Sequence, residues 1–274
     1  MPLRDSGWQA VERSEDINRL SMTPPHIQII PILEDNYAYV INQDGWALVI
    51  DPGEARPIAD YLAAHALSLA HILITHYDYD HIEGIAPLRS SFRPSVIGPA
   101  SSRVGLDTIV RSGGDLSLDG LTVRVIDTPG HAFPHVAYYF PDQGWLFSGD
   151  CLFGGGCGRL AGDSASVMWN SLQSLNQLPA DTKVFFGHEY TLANLAFAQS
   201  VEPDNPQIRD RISREQQVLA AGGFSAPSTI HEERMTNPFL RLHSATIRKS
   251  MGLSSASDAE VFAALRKAKN GFRS

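Results

Sequence analysis

The chain has 274 residues, a formal net charge of −8 at pH 7 and 43% hydrophobic residues. That composition belongs to a water-soluble globular protein, with material for one large domain or a core domain and a smaller companion. No run of about 18 uninterrupted apolar residues occurs, which argues against a membrane span. No clustered Lys/Arg face is visible, which argues against nucleic acid as the main partner.

Residues 1–25 are polar and unpatterned and end in Pro24-Pro25. They mix Arg4, Arg13 and Arg19 with Asp5, Glu12, Glu15 and Asp16, unlike a secretory signal or an acid-poor transit peptide. They read as a flexible extension. Short apolar runs follow at Ile27–Ile32, Ala38–Ile41, Trp46–Ile50 and Ile72–Ile74, which predict strands, with a helix carrying Ile58, Tyr61 and Leu62 before the last of them. Further strands are expected at Leu121–Ile126, Val136–Phe140, Trp145–Phe147 and Val184–Phe186, separated by turns such as Gly113-Gly114 and Asp119-Gly120. A helix through Met168, Leu172 and Leu175 precedes the final strand. After His188 the pattern is helical alone: Thr191–Val201, Pro206–Ala221, and a last helix opened by the capping box Ser257-x-x-Glu260 and stopped near Asn270-Gly271. The expected organisation is a mixed α/β metal-binding domain over 26–190 and a helical domain over 191–274.

The densest chemistry is Thr75-His76-Tyr77-Asp78-Tyr79-Asp80-His81, directly after the apolar Ile72–Ile74. Chain leaving a strand keeps alternate side chains on one side, so His76 and Asp78 can converge while Asp80 and His81 begin the next helix. His131 in Thr-Pro-Gly-His, Asp150 in Ser-Gly-Asp and His188 in Gly-His-Glu-Tyr each follow an apolar strand at a glycine turn. Strand-end loops are where α/β proteins place their sites. An isolated His or Asp is usually a surface or capping residue, whereas seven in one recurring context point to a site for metal ions.

The ordered set His-x-Asp-x-Asp-His, Pro-Gly-His, Gly-Asp and Gly-His resembles the metallo-β-lactamase superfamily. Gly187-His188-Glu189-Tyr190-Thr191, Asp35-Asn36-Tyr37, Asp51-Pro52-Gly53, Gly156-Cys157-Gly158-Arg159, Val201-Glu202-Pro203 and Asn237-Pro238-Phe239-Leu240-Arg241 resemble, more narrowly, the glyoxalase II family of hydroxyacylglutathione hydrolases. The resemblance runs from about residue 27 to the C-terminus.

It implies an αβ/βα sandwich followed by a helical, substrate-binding C-terminal domain. It also implies hydrolysis of a glutathione thioester, typically S-D-lactoylglutathione, by a hydroxide bridging two divalent metals. By position, His76, Asp78 and His131 would hold one metal and Asp80, His81 and His188 the other. Asp150 would bridge them, and Asp80 would orient the water. Arg159, Tyr190 and Arg241 would bind the substrate, Arg241 at the glycine carboxylate, with Arg248 or Lys249 as a further basic group.

Asp78 departs from the family's usual second histidine. It gives the site three carboxylates, a harder donor set that favours iron or manganese over zinc. The shorter side chain also leaves open a site with one metal. Ala161 departs where the family often carries an aromatic residue. Two other readings share the ligand set: a non-haem iron persulfide dioxygenase and a catalytically impaired glutathione-binding relative. His135 is expected behind the ligands. His26, His65, His71, His231 and His243 are expected at the surface or on helices, and Cys151 and Cys157 in packing beside the site. Two non-motif cysteines make the cytoplasm the default compartment.

Overall fold

In the computed structural model, residues 23–162 and 164–273 are described. Most of the expected N-terminal extension, residues 1–22, lies outside them. Its last part is tied down: Thr23 Oγ1 donates to Asp44 at 2.7 Å and the Thr23 carbonyl accepts from Gln43 at 2.7 Å.

Two six-stranded sheets lie face to face. The first contains β1 (His26–Ile32), β2 (Asn36–Gln43), β3 (Trp46–Ile50), β4 (Ser68–Leu73), β5 (Ser95–Pro99) and β6 (Thr108–Val110), in that order. β1 to β3 pair antiparallel and β3 to β6 parallel. The parallel part carries α1 (Ala55–Ala64), α2 (Tyr79–Ile82) and α3 (Ile85–Phe92) as crossovers. β2 is buried on both faces, which is why it reads as an apolar run without alternation. Its Val40 packs with Val49, Ile58 and Leu62 beneath the helices. Its Tyr39 and Ile41 turn to the opposite sheet, where they meet Tyr138, Phe147 and Phe186.

The second sheet has the order β14 (Ser228–Thr229), β13 (Lys183–Phe186), β10 (Trp145–Gly149), β9 (Val136–Phe140), β8 (Leu121–Asp127) and β7 (Asp115–Leu118). β13 is parallel to β10, and β8 and β10 both run antiparallel to β9. The C-terminal ends of β8, β10 and β13 therefore emerge at one edge. There the sheets are joined, Asn36 bridging to His188 and the Val136 amide donating to the Thr75 carbonyl at 2.9 Å.

A small hairpin, β11 (Leu152–Phe153) with β12 (Gly156–Cys157), and α4 (Ala165–Asn176) lie between β10 and β13. The expected helix-only stretch after His188 holds α5 (Thr191–Val201), α6 (Pro206–Ala220), α7 (Ile230–Thr236), α8 (Ala245–Ser250) and α9 (Asp258–Gly271). Within it β14 is a correction, since Ser228 and Thr229 add a strand to β13. Two residues between polar neighbours are too few for a period to appear in sequence. The capping box of α9 is present in both halves, Ser257 to Glu260 and back.

Phe197, Phe239 and Phe262 of the helical region belong to the same core cluster as Phe147 and Phe186 of the sheets. Truncating the fully buried Phe239 to Ala is expected to cost about 3–5 kcal/mol. Urea unfolding should still show one transition by fluorescence and by circular dichroism. Two separated transitions would mean that the helices unfold as an independent unit.

Candidate metal centre

Every residue expected as a metal ligand comes to the joined edge. His76 and Asp78 leave β4, Asp80 and His81 open α2, His131 follows β8, Asp150 follows β10 and His188 follows β13. They form two triads, His76–Asp78–His131 and Asp80–His81–His188, each with one donor atom per residue gathered within 4.8 Å. In the first, Asp78 Oδ2 lies 3.3 Å from His131 Nε2 and 3.8 Å from His76 Nε2. In the second, Asp80 Oδ2 lies 3.3 Å from His188 Nε2 and 3.8 Å from His81 Nε2. Asp150 sits between them, with Oδ1 3.4 Å from His81 and Oδ2 3.5 Å from His131 and 3.3 Å from His188.

His76 Nε2, His131 Nε2 and Asp150 Oδ1 are buried and have no hydrogen-bond partner. A buried polar atom left without one costs about 1–3 kcal/mol. All three point at the space between the triads, so the donor set fits a pair of divalent cations. The ring nitrogen on the far side of each histidine is held. His81 Nδ1 faces Asp51 Oδ2 at 3.1 Å, His188 Nδ1 faces Asp35 Oδ1 at 2.8 Å, and His131 Nδ1 donates to the Arg159 carbonyl at 3.0 Å. Thr75 Oγ1 donates to Asp51 Oδ2 at 2.6 Å, so at 3.0 Å it accepts from His76 Nδ1. These bonds place a proton on each Nδ1 and leave each Nε2 facing inward.

Charge follows the same logic. Burial disfavours a charged imidazole, yet Asp150, Asp51 and Asp80 push His81 up to about 9, and Asp150, Asp80 and Asp35 push His188 up to about 11. The carboxylates thus draw protons onto these rings when no other cation is present. His135 stands apart. Burial holds it neutral, down to about 3, and its Nε2 accepts from the Asp150 amide at 3.2 Å while Nδ1 meets Thr128 Oγ1 at 2.7 Å. Its ring stacks on His76 at 4.8 Å, behind the ligands.

Comparison with known proteins agrees with this geometry. Residues 32–104 and 98–188 match the metallo-beta-lactamase superfamily, and residues 189–272 match the hydroxyacylglutathione hydrolase C-terminus. A hydroxyacylglutathione hydrolase from Methylococcus capsulatus is 42% identical over 249 residues, covering 89% of this chain and 97% of its own. The chain belongs to the hydroxyacylglutathione hydrolase family. Another member, from Rhizobium meliloti, is 44% identical over 87% of this chain and 95% of its own. The fold is shared with the crystal structure of ETHE1 from Myxococcus xanthus, which has a TM-score of 0.65 at 23% identity and covers 92% of this chain and 93% of that one.

The residues expected to bind substrate divide. Tyr190 stacks on His188, ring centroids 4.8 Å apart, with its side chain reaching the surface. Arg159 is exposed beside it. Arg241 is turned elsewhere. Its Nε and Nη2 each donate to Glu202 at 2.8 Å and its Nη1 donates to the Arg234 carbonyl at 3.1 Å. Arg248 is likewise taken up by Asp258 and the Leu242 and Ala256 carbonyls, while Lys249 is exposed.

Other cations stand near Arg159. Arg266 of α9 is buried and donates to the carbonyls of Cys157 at 2.7 Å and Gly158 at 3.3 Å, its Nε without a partner. Lys269, one turn on, donates to the Ala193 carbonyl at 2.9 Å and lies near the Phe197 and Phe272 rings. Among the described residues neither forms an ion pair. Burial, then the Arg266 charge, pushes Lys269 down to about 8. Sequence patterning hides both, because a cation on an amphipathic helix reads as surface. Asp51 and Asp35 are legible only within motifs, although Asp51 shares the strand-end position of His76 and Asp150.

Replacing Asp51 by Ala is expected to weaken cation binding about 10–100-fold at both triads, because this one carboxylate holds His81 directly and His76 through Thr75. Calorimetric titration of chelator-treated protein would check it; loss at one triad alone would refute it. Because His81 and His188 must shed protons to bind a cation, uptake should release protons at pH 7.5. The affinity should then rise as pH increases towards about 9, and the measured enthalpy should vary with the ionisation enthalpy of the buffer.

Proposed function

We propose that the chain hydrolyses a glutathione thioester of the S-D-lactoylglutathione type, giving glutathione and a hydroxy acid. The observation that carries this reading lies at one strand-end edge. Ligand atoms without hydrogen-bond partners stand there, and Arg266, a cation without an acidic partner among the described residues, reaches the Cys157 and Gly158 carbonyls next to His131 and Asp150. Two divalent ions held by His76, Asp78, His131, Asp80, His81, His188 and Asp150 would polarise the thioester carbonyl and bring the pKa of water towards neutrality.

The chain's own residues orient the reaction. Asn36 Nδ2 donates to Asp80 Oδ2 at 2.8 Å, which fixes the carboxylate that would orient the attacking water. His188 and Asn36 hold that carboxyl well below the usual range, so it stays ionised. Burial and the charges of Asp35, Asp150 and Asp80 push the Tyr190 phenol up to about 12. It therefore remains a hydrogen-bond donor at neutral pH, placed against His188 for the peptide part of the substrate. Arg159, Arg266 and Lys269 supply positive charge for the glutathione carboxylates. Arg241 has no part in this, its fork being closed on Glu202.

The donor set also informs the metal. Each triad has two imidazoles and one carboxylate, with Asp150 shared between them. Three carboxylates make the set hard, and we assign iron or manganese in preference to zinc. An acidic chain whose two cysteines are both free and buried suits the cytoplasm.

Loss of thioester absorbance from S-D-lactoylglutathione tests the activity, using protein purified without chelator and supplied with zinc, iron or manganese. Asp150→Asn should lower kcat/KM by more than the ~100-fold typical of removing an outer partner of a metal ligand. Lys269→Met should raise KM about tenfold with kcat little changed, in keeping with a lost charged hydrogen bond, whereas Arg241→Met should lower stability and leave KM alone. Asp78→His should shift the bound metal towards zinc; identical metal content and pH–rate profiles in parent and variant would refute the assignment of Asp78. Absence of turnover with every metal would refute the hydrolase reading, and oxygen consumption with glutathione persulfide would then identify a dioxygenase.

A further inference from the structure

The segment from Phe153 to Arg159, which carries the turn of the small β11–β12 hairpin, stands against the metal centre. The Arg159 carbonyl accepts from His131 Nδ1 at 3.0 Å. A Cβ at Gly158 would fall 2.1 Å from the Asp150 carbonyl oxygen and 3.1 Å from the His131 ring. The segment is therefore pressed onto both residues, and its position sets the direction in which His131 Nε2 points.

The groups that fix this position come from the C-terminal helices. Asn194 of α5 donates to the Gly154 carbonyl at 3.1 Å. Glu233 of α7 accepts from the Gly155 amide at 2.8 Å, and its other oxygen is held by the buried Arg211 at 2.8 Å. Asn237 donates to the carbonyls of Phe153 at 3.3 Å and Gly156 at 2.9 Å, and to Glu233 at 3.0 Å. Arg266 of α9 grips the Cys157 and Gly158 carbonyls. Asn194, Glu233, Asn237 and Arg266 are all nearly fully buried. The other triad is held mainly from the sheet edges, His81 and His188 leaning on Asp51 and Asp35, and the segment meets it through the Phe153 ring, whose centroid lies 6.0 Å from that of the His188 ring.

We infer that Asn237, with Asn194 and Glu233, is a positioning residue for His131: the C-terminal helices set the cation affinity of the His76–Asp78–His131 triad through residues 153–159, and act less on the other triad. This rests on the two-cation reading of the centre and not on the thioester as substrate. The motif Asn237-Pro238-Phe239 thereby gains a role that Arg241 does not supply.

The test is a cobalt(II) titration of chelator-treated full-length protein, followed by calorimetry and by absorption. Asn237→Ala should weaken one binding event about tenfold or more and the other by clearly less. Asn194→Ala, which removes a bond to the same segment from a different helix, should give the same selective loss. Ile247→Ala, a core truncation in α8 that removes no hydrogen bond to the segment, should lower the unfolding temperature and leave both events unchanged. Equal weakening of both events in Asn237→Ala, no weakening in either, or the same selective loss in Ile247→Ala would overturn the inference. A parent protein that takes up a single ion would overturn it together with the two-cation reading, whereas the identity of the substrate is read separately, from the thioester assay of the parent protein.

Discussion

Negative charge gathered at a half-buried sheet edge is the constraint around which this protein is arranged. Asp78, Asp80 and Asp150 converge with four imidazoles at the edge where the two sheets join, and Asp35 and Asp51 stand directly behind them. Carboxylates so close together repel and resist desolvation, so the fold is stable only with positive charge among them. Protons on His81 and His188 meet that need in part, and divalent ions would meet it better. Outward from this point each element has a role that the charge imposes. β3 ends on Asp51, the β1–β2 turn presents Asp35 and Asn36, and Thr75 relays between a ligand and a carboxylate.

A second electrostatic feature of opposite sign lies a short distance away. Arg266 and Lys269 are withdrawn from water without an acid to answer them, whereas Arg211, Arg241 and Arg248 are each closed on a glutamate or aspartate. The contrast separates arginines whose charge is answered by an acid from two cations held by backbone carbonyls, Arg266 bracing the 153–159 segment among them. It also suits the proposal that an acidic protein acts on an acidic thioester, since the positive charge is local and set apart from the carboxylates.

Much of this is visible in the amino-acid sequence, for reasons that residue types explain. Apolar strands ending at a glycine with His or Asp beside it are rare enough together that His76, Asp78, Asp80, His81, His131, Asp150 and His188 stand out by pattern alone, and the fold brings all seven to one place. The longer strands and the first and last of the C-terminal helices are equally plain from period and capping. Strands such as Thr108–Val110, Asp115–Leu118 and Ser228–Thr229 are not, because their pairing partners, and not their own pattern, make them strands. Arg241 shows the limit for side chains: its partner Glu202 lies 39 residues away, and nothing local signals whether an arginine is spent or free. Arg266 shows the reverse case, a cation that reads as solvated and is buried.

The four imidazoles do not belong to one sheet. His76 and His81 are carried by the first, His131 and His188 by the second. An ion held among them is therefore a rivet through the sandwich as well as a reagent. Unfolding requires the sheets to part, and parting them dissolves the ligand set, so every factor by which free ion exceeds its dissociation constant is returned as resistance to heat and denaturant. The protein that has lost its metal should be the one that proteases reach first.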